Sequence, residues 1–342
     1  MTQLVFTETE LKQDHPFAEP QTEAGYRLHG GFDESGTYIS PRILNRWPAI
    51  RYWQAALSAR GWDLLDASQE LLKRENYPTR AQQKFLLERD MGSVLWNSLT
   101  ITGIVEARGK FLATYDAPDM QDIVVEDLSQ TCLGHLNKGL LVTHGWDEGG
   151  DEDAGIGGHD AMWFAVRDML FGQGAYPMPE EPDRLNRPEI GRLMPMIPEA
   201  HEELLLLMMN VLMIEVRAES FFEFCVQIMR DPELFADRRA EADHAAVIVD
   251  RIRADEQSHV AYLQTALSEL RSLTIKTVDG ATIPGTDMLD RIWQGLTVYH
   301  GVTVFDQNRE RTRAALIPYM ESKPNGAALV AAFDDLEQTR AA

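Results

Sequence analysis

Two stretches of this chain place carboxylates, one of them beside an imidazole, at spacings that a helix turns into a single face. The first is Asp255-Glu256-Gln257-Ser258-His259. Residues three apart on a helix are neighbours, so Glu256 and His259 could hold one metal ion together while the carboxylate bridges to a second. They continue an apolar face built from Ile248, Val249 and Ile252 and followed by Val260 and Leu263. A second Glu-x-x-His, Glu241 to His244, lies in the charged run DRRAEADH and reads as a solvated helix face. The other stretch is 199–229, EAHEELLLLMMNVLMIEVRAESFFEFCVQIM. Its apolar residues run all the way round, which marks a buried central helix. Glu215, Glu219 and Glu223 nonetheless follow at four-residue steps along one face. A bare carboxylate in such a place is costly, and needs a cation, strong hydrogen bonds or a proton.

The first half of the chain offers single residues. Glu106 shares a helix face with Leu95, Leu99, Thr102, Gly103 and Ala113, and Gly103 and Gly109 leave room beside it for a substrate or a close helix. His135 shares a face with Leu128, Thr131, Cys132, Gly139 and Val142. His159-Asp160 follows Gly157-Gly158 and opens the apolar run AMWFAVRDMLF, where Asp160 suits a helix start and His159 is a candidate ligand. The acidic loop Asp147 to Asp153 carries enough charge for calcium, but its spacing is not that of an EF-hand. No glycine-rich phosphate loop, nucleophile elbow or CxxC is present.

These residues need helices to position them, and the sequence supplies helical punctuation almost throughout. A helix is expected from Ala49 to Asn76. Another runs from Thr79, an N-cap, to about Tyr115, and a third from Asp119 or Asp122 to about Trp146. A short helix follows over 159–171. The prolines at 177, 179, 182, 188, 195 and 198 make 176–198 a long crossover strap. Long helices are expected over 199–229 and from Pro232 to about Leu273. TIKTVDGATI, with Asp279-Gly280 as its turn, is the only β signal, and helices return over 287–321 and from Asn325. Three regions result: an N-terminal arm and helix over 1–78, a bundle over 79–273, and C-terminal helices over 274–342.

The 342 residues carry a formal net charge of -22, which argues against nucleic acid as a partner. Two cysteines make no disulfide framework and point to a reducing cytoplasm. The longest apolar run, Leu204 to Ile214, is too short for a membrane span, and the first residues are not those of a signal peptide.

Two helical hairpins, 79–146 and 199–273, joined by a long crossover, together with Glu219 and Asp255-Glu256-x-x-His259, resemble the ferritin-like di-iron carboxylate superfamily. The Asp before Glu256 is similar to that of the bacterial multicomponent monooxygenases and the p-aminobenzoate N-oxygenase group. The resemblance covers roughly 80–270. It implies an all-α, ferritin-like four-helix bundle with additional terminal helices. It implies two iron ions, with manganese as the alternative, held by Glu106, His135, Glu256, His259 and one of Glu215, Glu219 and Glu223. Cys132 stands where the family has a second bridging Glu, so another of those glutamates, or His159, would complete the set. Asp255 would orient a ligand histidine, and Thr102, Gly103, Cys132 and Phe222 would line the pocket. The implied activity is a dioxygen-activating oxygenase or oxidase acting on a small organic substrate, with an electron donor and a homodimer both open. Iron handling, peroxide disposal, or a metal-free scaffold whose carboxylates pair with arginines are the alternatives.

Overall fold

The computed structural model describes residues 6–15, 19–72, 74–181, 187–188 and 191–338. Pro182 and the neighbouring part of the expected strap lie outside the described residues, as do the first five residues of the arm and the end of the last helix.

The chain is mostly helical. The principal helices are α1 (Ile43–Ala59), α2 (Arg80–Leu87), α3 (Ser93–Gly109), α4 (Leu141–Gly149), α5 (His159–Phe171), α6 (Glu199–Met229), α7 (Arg239–Arg271), α8 (Gly285–Val298), α9 (Val304–Glu321) and α10 (Gly326–Gln338). The two longest, α6 and α7, are joined by a short connection around Asp231-Pro232 and pack side by side. Helix α7 also carries α5 and α1, and α5 packs along α3. No helix among the described residues is long and apolar enough to cross a membrane. Both cysteines are buried and free.

Sequence and structure agree where punctuation is strong. Thr79 caps α2: its hydroxyl accepts from Gln82 N, and Gln82 Oε1 accepts from Thr79 N at 3.0 Å. The hairpin β5 (Thr274–Lys276) with β6 (Thr282–Pro284) forms around Gly280, whose φ is +83°. Two further hairpins lie in the arm, where no element was expected: β1 (Gln21–Glu23) with β2 (Tyr26–Leu28), and β3 (Gly31–Phe32) with β4 (Tyr38–Ile39).

The first expected hairpin is reorganised. The helix expected over 79–115 is two helices, because Asp90 turns left-handed at φ 56° and Met91 N closes back on Leu86 O. Most of the helix expected to reach Trp146 is replaced by turns and short irregular helical segments, and regular α-helix begins only at Leu141. Helix α5, expected as a short helix over 159–171, packs lengthwise against α3 and α7.

Glu269 holds the start of the irregular segment. Its carboxylate accepts from Cys132 N at 3.1 Å and Leu133 N at 2.9 Å. Burial pushes this carboxyl up to about 7, against the pull of those two N–H groups. A carboxyl raised on folding contributes stability below its ordinary value and loses it as pH rises through the folded value. Wild-type stability should therefore fall between about pH 5 and pH 8, and Glu269→Gln should flatten that slope. Urea unfolding at several pH values checks this, and parallel curves for the two proteins would refute it.

Candidate metal centre

Buried where α3, α4, α5, α6 and α7 meet lie four glutamates and three histidines. Glu106 comes from α3, His144 and Glu148 from α4, His159 from the first residue of α5, Glu215 from α6, and Glu256 and His259 from α7. None is more than 9% exposed. Two glycines bring these elements together. A Cβ on Gly109 would sit 2.5 Å from Glu148 Cγ, and one on Gly158 would sit 2.4 and 2.6 Å from the carbonyl oxygens of Asp147 and Glu148. Only glycine lets α4 end against α3 and lets α5 start beside it. The room expected at Gly103 and Gly109 is thus filled by close contact, with Phe164 over Gly103 and Glu148 over Gly109.

The histidines share one arrangement: one ring nitrogen is bound outward and the other faces the glutamates. His159 Nε2 donates to Asp255 Oδ2 at 3.2 Å, while its Nδ1 lies 2.9 Å from Glu256 Oε1 and 3.4 Å from Glu148 Oε1. His259 Nε2 donates to Asp147 Oδ2 at 3.1 Å, while its Nδ1 lies 2.7 Å from Glu256 Oε2 and 3.4 Å from Glu148 Oε1. His144 Nδ1 shares a 2.8 Å hydrogen bond with the Tyr262 hydroxyl, while its Nε2 lies 3.4 Å from Glu148 Oε1 and 3.3 Å from Glu215 Oε1. Three imidazole nitrogens thus converge on one oxygen, Glu148 Oε1. That oxygen, His159 Nδ1 and Glu256 Oε1 are buried without any hydrogen-bond partner. They face one another at ion-pair distance without an aligned hydrogen bond, an arrangement that is costly unless a positive charge, proton or metal ion, lies among them.

The outward partners are themselves anchored. Asp147 accepts from Arg42 Nη2 and pairs with Arg46 Nη1, each at 2.7 Å. Asp255 Oδ2 also accepts from the Tyr38 hydroxyl at 2.9 Å and contacts His29 Nε2 at 3.1 Å, so the arm reaches the centre's outer side.

Donor atoms within 4.8 Å of one another form three sets among the described residues; the smallest, His29, His159 and Asp255, lies on the outer side, and the other two overlap: His144, Glu148, Glu215 and His259, and Glu106, Glu148, His159 and Glu256. Each of these two could hold a metal ion, and Glu148 belongs to both. The electrostatics favour cations. Burial pushes the Glu106 carboxyl well up, with Glu148 and Glu256 adding to it, and burial with Glu256 pushes Glu215 up to about 8. Burial alone would lower His159, but Glu148 and Glu256 outweigh it and hold the imidazole well above its ordinary value. Glu106, Glu215 and His159 thus retain protons that a cation could replace, while the neighbouring histidines hold Glu148 well below the usual carboxylate range and Glu256 down to about 2. Among the described residues, Glu148, Glu215 and Glu256 make ion pairs with histidines, whereas Asp147 pairs with Arg42 and Arg46 and Glu219 with Arg253.

The structure brings together Glu106, His159, Glu215, Glu256 and His259, and places Asp255 behind His159. It does not bring His135 or Glu219. His135 turns both nitrogens to backbone carbonyls, Thr131 O at 2.6 Å and Phe6 O at 3.1 Å, its single N–H donating to one of them, and packs on Trp53. Glu219 chelates the Arg253 guanidinium, Glu223 is exposed, and His244 pairs with Glu23 at 2.9 Å. Cys132 donates to Tyr262 O at 3.4 Å, away from the cluster. His144 and Glu148 were not anticipated. Their spacing of four on one helix was the available signal. It was masked because 147–153 reads as a solvated acidic loop, whereas α4 continues to Gly149 and turns Asp147 and Glu148 inward. The chain matches no protein-family model, no curated protein and no solved structure.

A cleft of about 540 Å³ opens from the surface between α1, α6 and α7 and is lined by both Glu215 and Glu256. Trp47, Val216, Val260 and Ala261 form apolar wall, and Glu219, Asp250 and Arg253 add charge.

Proposed function

We propose that this protein is a di-metal carboxylate oxidoreductase of ferritin-like type, an oxygenase or oxidase that carries two iron ions and acts on a small organic substrate. The observation that carries this reading is the convergence of His144, His159 and His259 on the unpartnered Glu148 Oε1, inside two donor sets that share that residue. Four carboxylates balance the charge of two divalent ions. A donor set of four carboxylates and three imidazoles is oxygen-rich, which suits iron or manganese better than zinc or copper.

Glu148 would bridge the pair, with Glu106, His159 and Glu256 on one side and His144, Glu215 and His259 on the other. When bound, such a pair supplies reductive activation of dioxygen. The chain's own residues prepare the site for it. Asp255, Asp147 and Tyr262 fix the ring orientation of His159, His259 and His144, so each presents one nitrogen inward. Arg42 and Arg46 keep Asp147 ionised, and its carboxyl is held well below the usual range despite burial. The packed helices exclude bulk water from all but the cleft side, where a substrate of small size meets Glu215 and Glu256.

Metal content tests the reading. Protein produced with iron and manganese supplied should carry about two ions per chain by plasma mass spectrometry, and should consume dioxygen when reduced. A folded, helical protein that takes up no metal would overturn it.

A further inference from the structure

We propose that the cleft between α1, α6 and α7 is the route by which divalent cations reach the centre, and that Glu219, Arg253 and Asp250 form a charge gate at its mouth. This rests on the metal centre proposed above. The two helices set their residues in rungs. Glu215 and Glu256 form the inner rung, and the pair Glu219–Arg253 forms the next, about 6 Å further out, one turn along each helix. Asp250, one turn beyond Arg253 on α7, accepts from Arg253 Nη1 at 3.2 Å.

The inner rung is aimed at a ligand. Glu256 lines the cleft, is 4% exposed, and leaves Oε1 without an aligned hydrogen bond, 2.9 Å from His159 Nδ1 on the side of the centre. The cleft is lined by Asp250, Glu219, Glu215 and Glu256 against one cation, Arg253, with Arg230 pairing with Asp250 at 2.6 Å from outside it, so acidic groups remain in excess along the path. A concave, low-dielectric path lined by one sign of charge concentrates ions of the other sign. A hydrated divalent ion is therefore drawn to the mouth, where Asp250 and Glu219 can exchange Arg253 for it, and passes to Glu215 and Glu256. Arg253 is the latch: it neutralises the mouth while no ion is there, and it swings aside without crossing the core because it is only partly buried.

Stopped-flow uptake of Co2+ by chelator-stripped protein, read by the visible absorbance of the bound ion, tests this. Glu219→Gln frees a positive charge at the mouth and should slow uptake about tenfold, whereas Arg253→Gln should speed it several-fold. The exposed Glu223→Gln, an equal charge change outside the cleft, should match wild type. All four proteins should reach the same final occupancy. Opposite shifts at one rung do not arise from general damage to the fold. Equal rates in all four, with full occupancy, would overturn the gate and leave the centre standing. Lower final occupancy in Glu219→Gln would overturn it in favour of Glu219 as a ligand. No uptake by wild type would overturn the centre and the gate together.

Discussion

Glu148→Gln should empty the centre. Wild type loaded with iron is expected to hold about two ions per chain, and the variant close to none, because one carboxylate serves both donor sets. Glutamine keeps the shape and the packing against Gly109 but removes the charge on which three imidazoles converge. The helical circular dichroism should be retained, since the imidazoles of His144, His159 and His259 that lose Glu148 as a partner can shed their protons rather than stay buried as unpaired charges. A variant that still carries the wild-type amount would show that Glu148 is not the shared donor, and the two-ion arrangement would fail with it.

The second large effect is expected at Arg46. Asp147 is fully buried and held by Arg42 and Arg46 on one side and His259 on the other. Arg46→Met leaves that carboxylate undercompensated, and breaking a buried pair in this way costs about 3–5 kcal/mol. Urea unfolding of the metal-free protein should show this loss. The double change Arg46→Met with Asp147→Leu should recover much of it, since no buried charge is then stranded. The single variant should also bind metal roughly 10- to 100-fold more weakly, through a loosened His259. Stability equal to wild type would mean that Arg42 alone satisfies Asp147.

What the sequence discloses here follows from what its signals are made of. Residues on long, uninterrupted helices are legible because spacing alone puts them on a common face: Glu256 and His259 on α7, and Glu215 on α6. Choosing among Glu215, Glu219 and Glu223 was beyond that signal. The three share a face, and only the packed structure shows that Arg253 takes Glu219. His135 misled because it has the right residue type on a segment expected to be helical. That segment is turns and short irregular helix up to Gly139, at φ +120°, and the imidazole faces two backbone carbonyls. Glu148 was hidden for the opposite reason. It stands in an acidic run that looks solvated, and two of the three histidines that make it tolerable, His159 and His259, come from other helices. The reorganised first hairpin has the same origin, since close approaches at Gly109 and Gly158 are tertiary facts with no local periodicity.

The spacing of the donors along the chain also bears on when the centre can be assembled. Glu106 leaves the ribosome first and His259 last. At the ~5–20 residues per second of synthesis, the roughly 150 residues between them take on the order of ten seconds or more. Until α7 emerges, neither donor set is complete, and Glu148 has no Glu256 or His259 beside it. A nascent chain can therefore offer an ion only a partial, weakly selective set of ligands. Under the proposed function, loading would belong to the finished polypeptide, and metal supply would be felt in the survival of completed molecules rather than in their synthesis.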